Sequence, residues 1–220
     1  MQTLALTGSD RTFQAGKLVC IGRNYALHAA EMGAAVPENP VVFLKPATAI
    51  IGNGQSIVLP AGIGSVHHEV ELVVLIGERV KTVSRANAAE AVAGYAVGLD
   101  MTARDVQAEA KRKGTPWTVA KGFDTFAPLG GFTPADAVGD PQKLSINLSV
   151  NGSDRQRGST ADMIFSVVDL VAYCSTIFTL EPGDLIYTGT PDGVGPVEDG
   201  DELLAEISGL EPLHVGVRAE

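Results

Sequence analysis

The chain has 220 residues, 45% of them hydrophobic and 19% charged, which is enough apolar material for a substantial core and too much for wholesale disorder. A net charge of −10 argues against nucleic acid and anionic membrane surfaces as partners, because both ask for a basic footprint. No apolar run approaches the roughly 18 residues of a membrane span, and the N-terminus lacks a basic stretch followed by a long apolar one, so a soluble, cytoplasmic protein is expected.

Turn signals are spread evenly, with 25 Gly and 12 Pro, and the apolar runs between them are short, the texture of a β-rich fold with a few inserted helices. In chain order, a strand is predicted over 17–22, then a short helix over 24–33 ending at Gly33, then strands over 41–44, 56–59, 69–76 and 94–100. A helix over 102–113 follows, with Thr102 and Asp105 at capping-box spacing and a basic last turn that suits the helix dipole. A strand over 144–150 enters a hairpin at Asn151-Gly152, a pair that supplies the positive φ angles of a tight turn. A helix over 166–178 repeats the capping device with Ser166 and Asp169, and strands close the series at 183–188 and 201–207. Cys20 and Cys174 each lie in apolar stretches and read as buried free thiols. No internal linker stands out, so one domain is expected.

The chemistry gathers around "VHHEVELVVLIG" at 66–77. Alternation along a strand puts Glu69 and Glu71 on one face, where two close carboxylates need a positive partner or solvent. One reading is a strand wetted at its start, or a pair held by arginine. The other is a cation site, and "YAVGLDMTARD" favours it by placing Asp100 where an apolar strand gives way to a helix. Three carboxylates without thiolates suit a hard divalent cation, Mg²⁺ or Mn²⁺ or else Ca²⁺; zinc with His67 and His68 is the runner-up, against neutral structural histidines. His28 and Glu31 fall on one helical face, either as a surface pair or as a dyad in which the carboxylate raises imidazole basicity. Lys121, among apolar and small residues, is either a cation for an anionic intermediate or a snorkelling surface lysine. The "GTPDGVGP" loop at 189–196 lacks the ending of a phosphate loop; it is a plain turn, or a nest of amides able to hold a carboxylate, with Thr190 adding a hydroxyl.

The blocks "IGRNYALHAAEMG", "VVFLKP", "VHHEVELVVLIG", "GYAVGLDMTARDVQ", "PWTVAKGFDTFAPLG", "VNGSDRQRGSTADMIFS" and "LEPGDLIYTGTPDGVGP" resemble, in the same order, the fumarylacetoacetate hydrolase family, in particular its short acylpyruvase and oxaloacetate decarboxylase branch. The resemblance implies an α+β, β-rich fold with a mixed rolled sheet and a few short helices. It implies a single catalytic domain over 16–218 after an N-terminal segment at 1–15, assembled as a homodimer. By position it implies Glu69, Glu71 and Asp100 as metal ligands, His28 and Glu31 as a catalytic pair on a lid segment, and Lys121 as a catalytic lysine. Arg23, Lys45, Gln107 and Thr190 match substrate contacts. The implied activity is Mg²⁺-dependent hydrolysis of 2,4-dioxo acids, such as acetylpyruvate or fumarylpyruvate, to pyruvate and a carboxylic acid by way of the pyruvate enolate. Oxaloacetate decarboxylation and keto–enol tautomerisation share that enolate and are the alternatives. A non-enzymatic protein holding structural Ca²⁺ fits worse, since such a site needs neither Lys121 nor the His28–Glu31 pair.

Overall fold

The apolar run after Glu69 forms the strand Val70–Ile76, in which every residue is buried. Val70, Leu72, Val74 and Ile76 pack into one hydrophobic core, and Val73 and Leu75 into a second on the opposite face. A strand covered on both faces has no solvent side to be polar, which is why its sequence is apolar apart from Glu71. The computed structural model describes residues 2–220.

Val70–Ile76 lies inside a six-stranded sheet, in the order Thr133–Pro134, Val92–Leu99, Val70–Ile76, Leu185–Tyr187, Leu18–Gly22, Val41–Lys45. Its pairs are antiparallel except Leu185–Tyr187 with Leu18–Gly22. A five-stranded sheet runs Ser153–Ser159, Ser145–Val150, Glu202–Ile207, Leu213–Ala219, Ser56–Leu59, with only the last pair parallel. The first core fills the space between these two sheets: Ile146, Leu148, Leu203 and Val215 meet Leu72 and Val97 there. The mixed, β-rich α+β fold read from the sequence is therefore the fold the chain adopts.

Four α-helices occur among the described residues: α1 (Ala26–Glu31), α2 (Arg104–Lys113), α3 (Thr118–Lys121) and α4 (Val167–Ile177). The hairpin turn has Asn151 at φ 51° and Gly152 at φ 73°, both positive as a two-residue turn of this twist requires. At α4 the Ser166 side chain accepts from the Asp169 backbone N–H and the Asp169 carboxylate accepts from that of Ser166, a complete capping box.

The matching device expected at 102–113 is not formed. α2 begins two residues later, at Arg104, behind an Ala103 cap with no side-chain hydrogen bond. Thr102 is instead drawn into a short strand, with its hydroxyl donating to Glu69 Oε1 at 3.1 Å, and the Asp105 carboxylate accepts from Ser65 N at 2.9 Å. Tertiary partners outcompeted the local cap. Strands at Thr3–Ala5, Thr12–Gln14 and Leu213–Ala219 and the single turn of α3 were not anticipated. Both cysteines are buried and free, and no helix is long and apolar enough to cross a membrane.

Candidate active site

Strand register builds the site. Val70 pairs with Leu99 and Glu71 with Gly98; one step further, the Asp100 N–H donates to Glu69 O at 2.9 Å. The ends of two adjacent strands thus bring Glu69, Glu71 and Asp100 together, and one oxygen of each lies within 4.8 Å of the others. All three side chains are buried, at 6%, 2% and 1% exposure, so solvent does not offset their mutual repulsion.

Their partners differ. Glu69 meets Arg104 Nη2 at 2.6 Å and Lys121 Nζ at 2.9 Å. Burial would raise its carboxyl, but Lys121 and Arg104 outweigh that and hold it well below the usual range. Arginine is therefore one of the charges that makes this carboxylate tolerable, so the arginine-held reading of the pair applies in part, at Glu69. Asp100 Oδ2 accepts from Lys121 Nζ at 2.6 Å, whereas Oδ1 has Lys45 Nζ 2.7 Å away as an ion pair but no aligned hydrogen-bond donor. Glu71 accepts one hydrogen bond, from Gly189 N at 2.8 Å. Burial, then Asp100 and Glu69, push its carboxyl well above the usual range. Gly189 can approach because it has no side chain: its φ is 96°, and a Cβ there would sit 2.7 Å from the Asn24 side chain.

These residues fit a divalent cation. The donors are hard oxygens, one Asp100 oxygen lacks a donor, and buried Glu71, whose carboxyl is pushed upward, has no lysine or arginine against it. The buried acidic triad could hold such an ion with Lys121 beside it. Lys121 lies at the end of α3, buried at 2% exposure, its Nζ 5.0 Å from the Phe43 ring centre, and Asp100 and Glu69 hold its pKa above the ordinary value despite burial.

A narrow cavity of about 30 Å³ opens onto Glu69 and Glu71 of the triad. His28 of α1 forms part of its wall, with Nδ1 3.1 Å from Glu31 Oε2. The other Glu31 oxygen accepts from Gly193 N at 3.1 Å. A carboxylate at Nδ1 favours the proton there and leaves Nε2 as the basic nitrogen. The glycine loop does hold carboxylates through its amides, and they are the protein's own, Glu71 and Glu31. Before α1, buried Asn24 fixes the chain: its Nδ2 donates to Phe165 O and Thr188 O, and its Oδ1 accepts from Phe165 N. Arg23 is forced to φ 60°, a region unusual for a side chain larger than Asn.

Arg23, Gln107 and Thr190 line the same cavity. Gln107 is buried and its Oε1 accepts from Arg104 Nη1 at 2.8 Å. Lys45, expected as a substrate contact, is placed differently. It does not line the cavity, and its Nζ donates to the carbonyls of Met101, Lys121 and Phe126 behind Asp100. It fixes Asp100 rather than facing a ligand. The zinc alternative finds no support: His68 is fully buried with Nδ1 3.0 Å from Gln156 Oε1, and the triad contains no imidazole.

Sequence reasoning missed Arg104, Lys111, Phe43, Met32 and Trp117, all of which line the cavity. A signal existed for Arg104, four residues after Asp100 and three before Gln107, on one face of α2. Lys111 and Trp117, 5.4 Å apart as a cation over a ring, carry no local signal.

Fold and site together describe a β-rich scaffold that gathers three buried carboxylates, able to hold a divalent cation, beside a histidine–carboxylate pair and a lysine. The chain belongs to the fumarylacetoacetate hydrolase family: residues 17–218 match the profile described as fumarylacetoacetate (FAA) hydrolase C-terminal. Members of this family are enzymes. The chain is 52% identical over 203 residues to oxaloacetate tautomerase YcgM of Escherichia coli K12, covering 92% of this chain and 93% of that one. It is also 52% identical over 202 residues to the mitochondrial oxaloacetate tautomerase FAHD1 of Homo sapiens, with 91% of each covered. Among solved structures, fumarylpyruvate hydrolase from Pseudomonas aeruginosa in complex with Mn²⁺ and pyruvate superposes with a TM-score of 0.95 at 45% identity, over 100% of this chain and 96% of that one.

Proposed function

We propose that this protein is a divalent-cation-dependent enzyme acting on 2-oxo acids that carry a second carboxylate. The observation that carries this reading is that His28, paired with Glu31, walls the same cavity as Glu69, Glu71 and Lys121. Charge supports it too. Glu69, Glu71 and Asp100 are balanced by Lys45, Lys121 and Arg104, so a bound divalent cation leaves two positive charges for a dianionic ligand. When bound, such an ion supplies Lewis-acid stabilisation to a substrate's carboxylate and keto oxygens. Arg23 and Lys111 also line the cavity, and neither has a carboxylate partner among the described residues. Together they suit a distal carboxylate, which oxaloacetate and fumarylpyruvate have and acetylpyruvate lacks.

With fumarylpyruvate, His28 Nε2 takes a proton from water, whose oxygen adds to the distal carbonyl. The C–C bond then breaks, its electron pair passes to the pyruvate fragment as an enolate, and protonation gives pyruvate and fumarate. Lys121 faces the negative charge that develops. With oxaloacetate the same nitrogen moves a proton between carbon and oxygen, interconverting keto and enol forms. The second reading is favoured by the 52% identity to tautomerases from a bacterium and from human mitochondria.

The test is a panel of fumarylpyruvate, acetylpyruvate and oxaloacetate with Mg²⁺, following pyruvate, CO₂ and the enol absorbance. Turnover of at least one dicarboxylic substrate is expected, and His28→Ala should lower it by roughly 10²- to 10⁴-fold. Glu31→Gln should lower kcat with little change in KM. An undiminished rate in His28→Ala would remove the proton-transfer role.

A further inference from the structure

Gln156 sits in the outermost strand of the five-stranded sheet, Ser153–Ser159, between the exposed Arg155 and Arg157, yet it is fully buried. Its amide uses all of its bonding capacity. Oε1 accepts from Val70 N at 3.1 Å and faces His68 Nδ1 at 3.0 Å; Nε2 donates to Thr190 Oγ1 at 2.8 Å and to Pro191 O at 2.9 Å.

Two of these partners have a fixed sense. A backbone N–H can only donate and a backbone carbonyl can only accept, so a flipped amide would set donor against donor at Val70 and acceptor against acceptor at Pro191. The orientation of Gln156 is therefore determined by the main chain, and two consequences follow. His68 carries its hydrogen on Nδ1. Thr190 accepts through its oxygen, so its single hydroxyl hydrogen must be donated elsewhere. No group among the described residues accepts it, and Thr190 borders the cavity together with Glu69, Glu71 and Lys121.

We propose that Gln156 is a positioning residue that holds Thr190 as a hydrogen-bond donor toward an anionic oxygen of the bound 2-oxo acid. It touches no ligand itself. It sets the sense of a neighbouring hydroxyl and, through Pro191 O and Val70 N, ties the glycine loop to the strand that carries Glu71. A site that always offers a donor at this point favours a carboxylate or enolate oxygen over a hydroxyl that would itself need an acceptor. The inference rests on the reading of the cavity as a 2-oxo acid site.

The test uses oxalate, a mimic of the pyruvate enolate, titrated calorimetrically into the Mn²⁺-loaded protein, with Mn²⁺ binding and melting temperature measured for every variant. Thr190→Val should weaken oxalate by roughly 10- to 100-fold, the range of a hydrogen bond to a charged group, and Thr190→Ser should restore it. Gln156→Met should weaken oxalate to a similar extent, and the Gln156→Met/Thr190→Val double variant should lose no more than either single one. Gln156→Glu, which is isosteric and accepts the Thr190 hydrogen itself, should lose at least as much and covers the case in which the apolar variant fails to fold. Mn²⁺ affinity should stay within about twofold throughout. Oxalate losses that add in the double variant, or wild-type oxalate affinity in both Gln156 variants, would overturn the positioning role while leaving the substrate class standing. Failure of the wild-type protein to bind oxalate would overturn the substrate class and this inference with it.

Discussion

Glu69, Asp100 and Glu71 share one cluster, but their neighbours give them different states. Glu69 and Asp100 each contact two of the three cations packed around the triad, whereas Glu71 has a single backbone amide and two like charges. The residue most in need of a cation is thus the one aligned with the core face of the central strand. Farther out, Lys111 lies at the mouth of the cavity, where burial and then Arg104 and Arg23 press its pKa down. A cation crowded by other cations binds an anion that is brought to it. Lys111→Ala is expected to raise KM for oxaloacetate or fumarylpyruvate by roughly tenfold, the effect of losing one charge-assisted contact, and to change KM for acetylpyruvate little. Steady-state kinetics on the three acids checks this, and equal effects on all three would mean that Lys111 does not read the second carboxylate.

At the scale of elements, strand existence was legible because it rests on local pattern, whereas the meeting of the triad rests on the pairing of two strands and was favoured by Asp100 and carried by the family resemblance. A buried two-faced strand shows as a continuous apolar run, and carboxylates at the ends of paired strands show as interruptions of it. The cap of α2 was misread for a physical reason: Thr102 and Asp105 have tertiary partners, Glu69 and the Ser65 amide, that no spacing rule reveals. Lys45 is placed by similar long-range partners, since three carbonyls from distant segments decide where its ammonium goes. An arginine partner for the glutamates was weighed, but Arg104 itself was missed because it reaches Glu69 from the start of a different element, α2. The lid reading concerns α1. It is one and a half turns long, pinned at its start by Asn24 and at its end by one exposed-side contact, Glu31 with Gly193 N, and so short a helix has little stability of its own. Amide hydrogens of residues 24–34 should exchange quickly in the free protein and more slowly with oxalate bound. Hydrogen–deuterium exchange with mass spectrometry reads this, and equal rates with and without oxalate would mean that α1 does not close over ligand.

For the whole molecule, two cores on either face of the six-stranded sheet hold the triad rigid while leaving buried titratable groups beside it. Half-buried His67 lies next to them: partial burial, then Arg104, lower its pKa from 6.5 to about 4. Between those values the unfolded chain takes a proton that the folded chain refuses, so the stability this group contributes is complete above pH 6.5 and is lost as pH falls toward 4. The melting temperature should therefore fall across that window, and His67→Gln should flatten the slope; an unchanged slope would show that His67 titrates alike in both states. The central claim is that Glu69, Glu71 and Asp100 form a divalent-cation centre, and Mn²⁺ titration at neutral pH tests it most directly. The account predicts one Mn²⁺ per chain and a loss of affinity of at least about tenfold in Glu71→Gln, a change that removes charge but little volume; no saturable binding by the wild-type protein, or equal binding by Glu71→Gln, would contradict it.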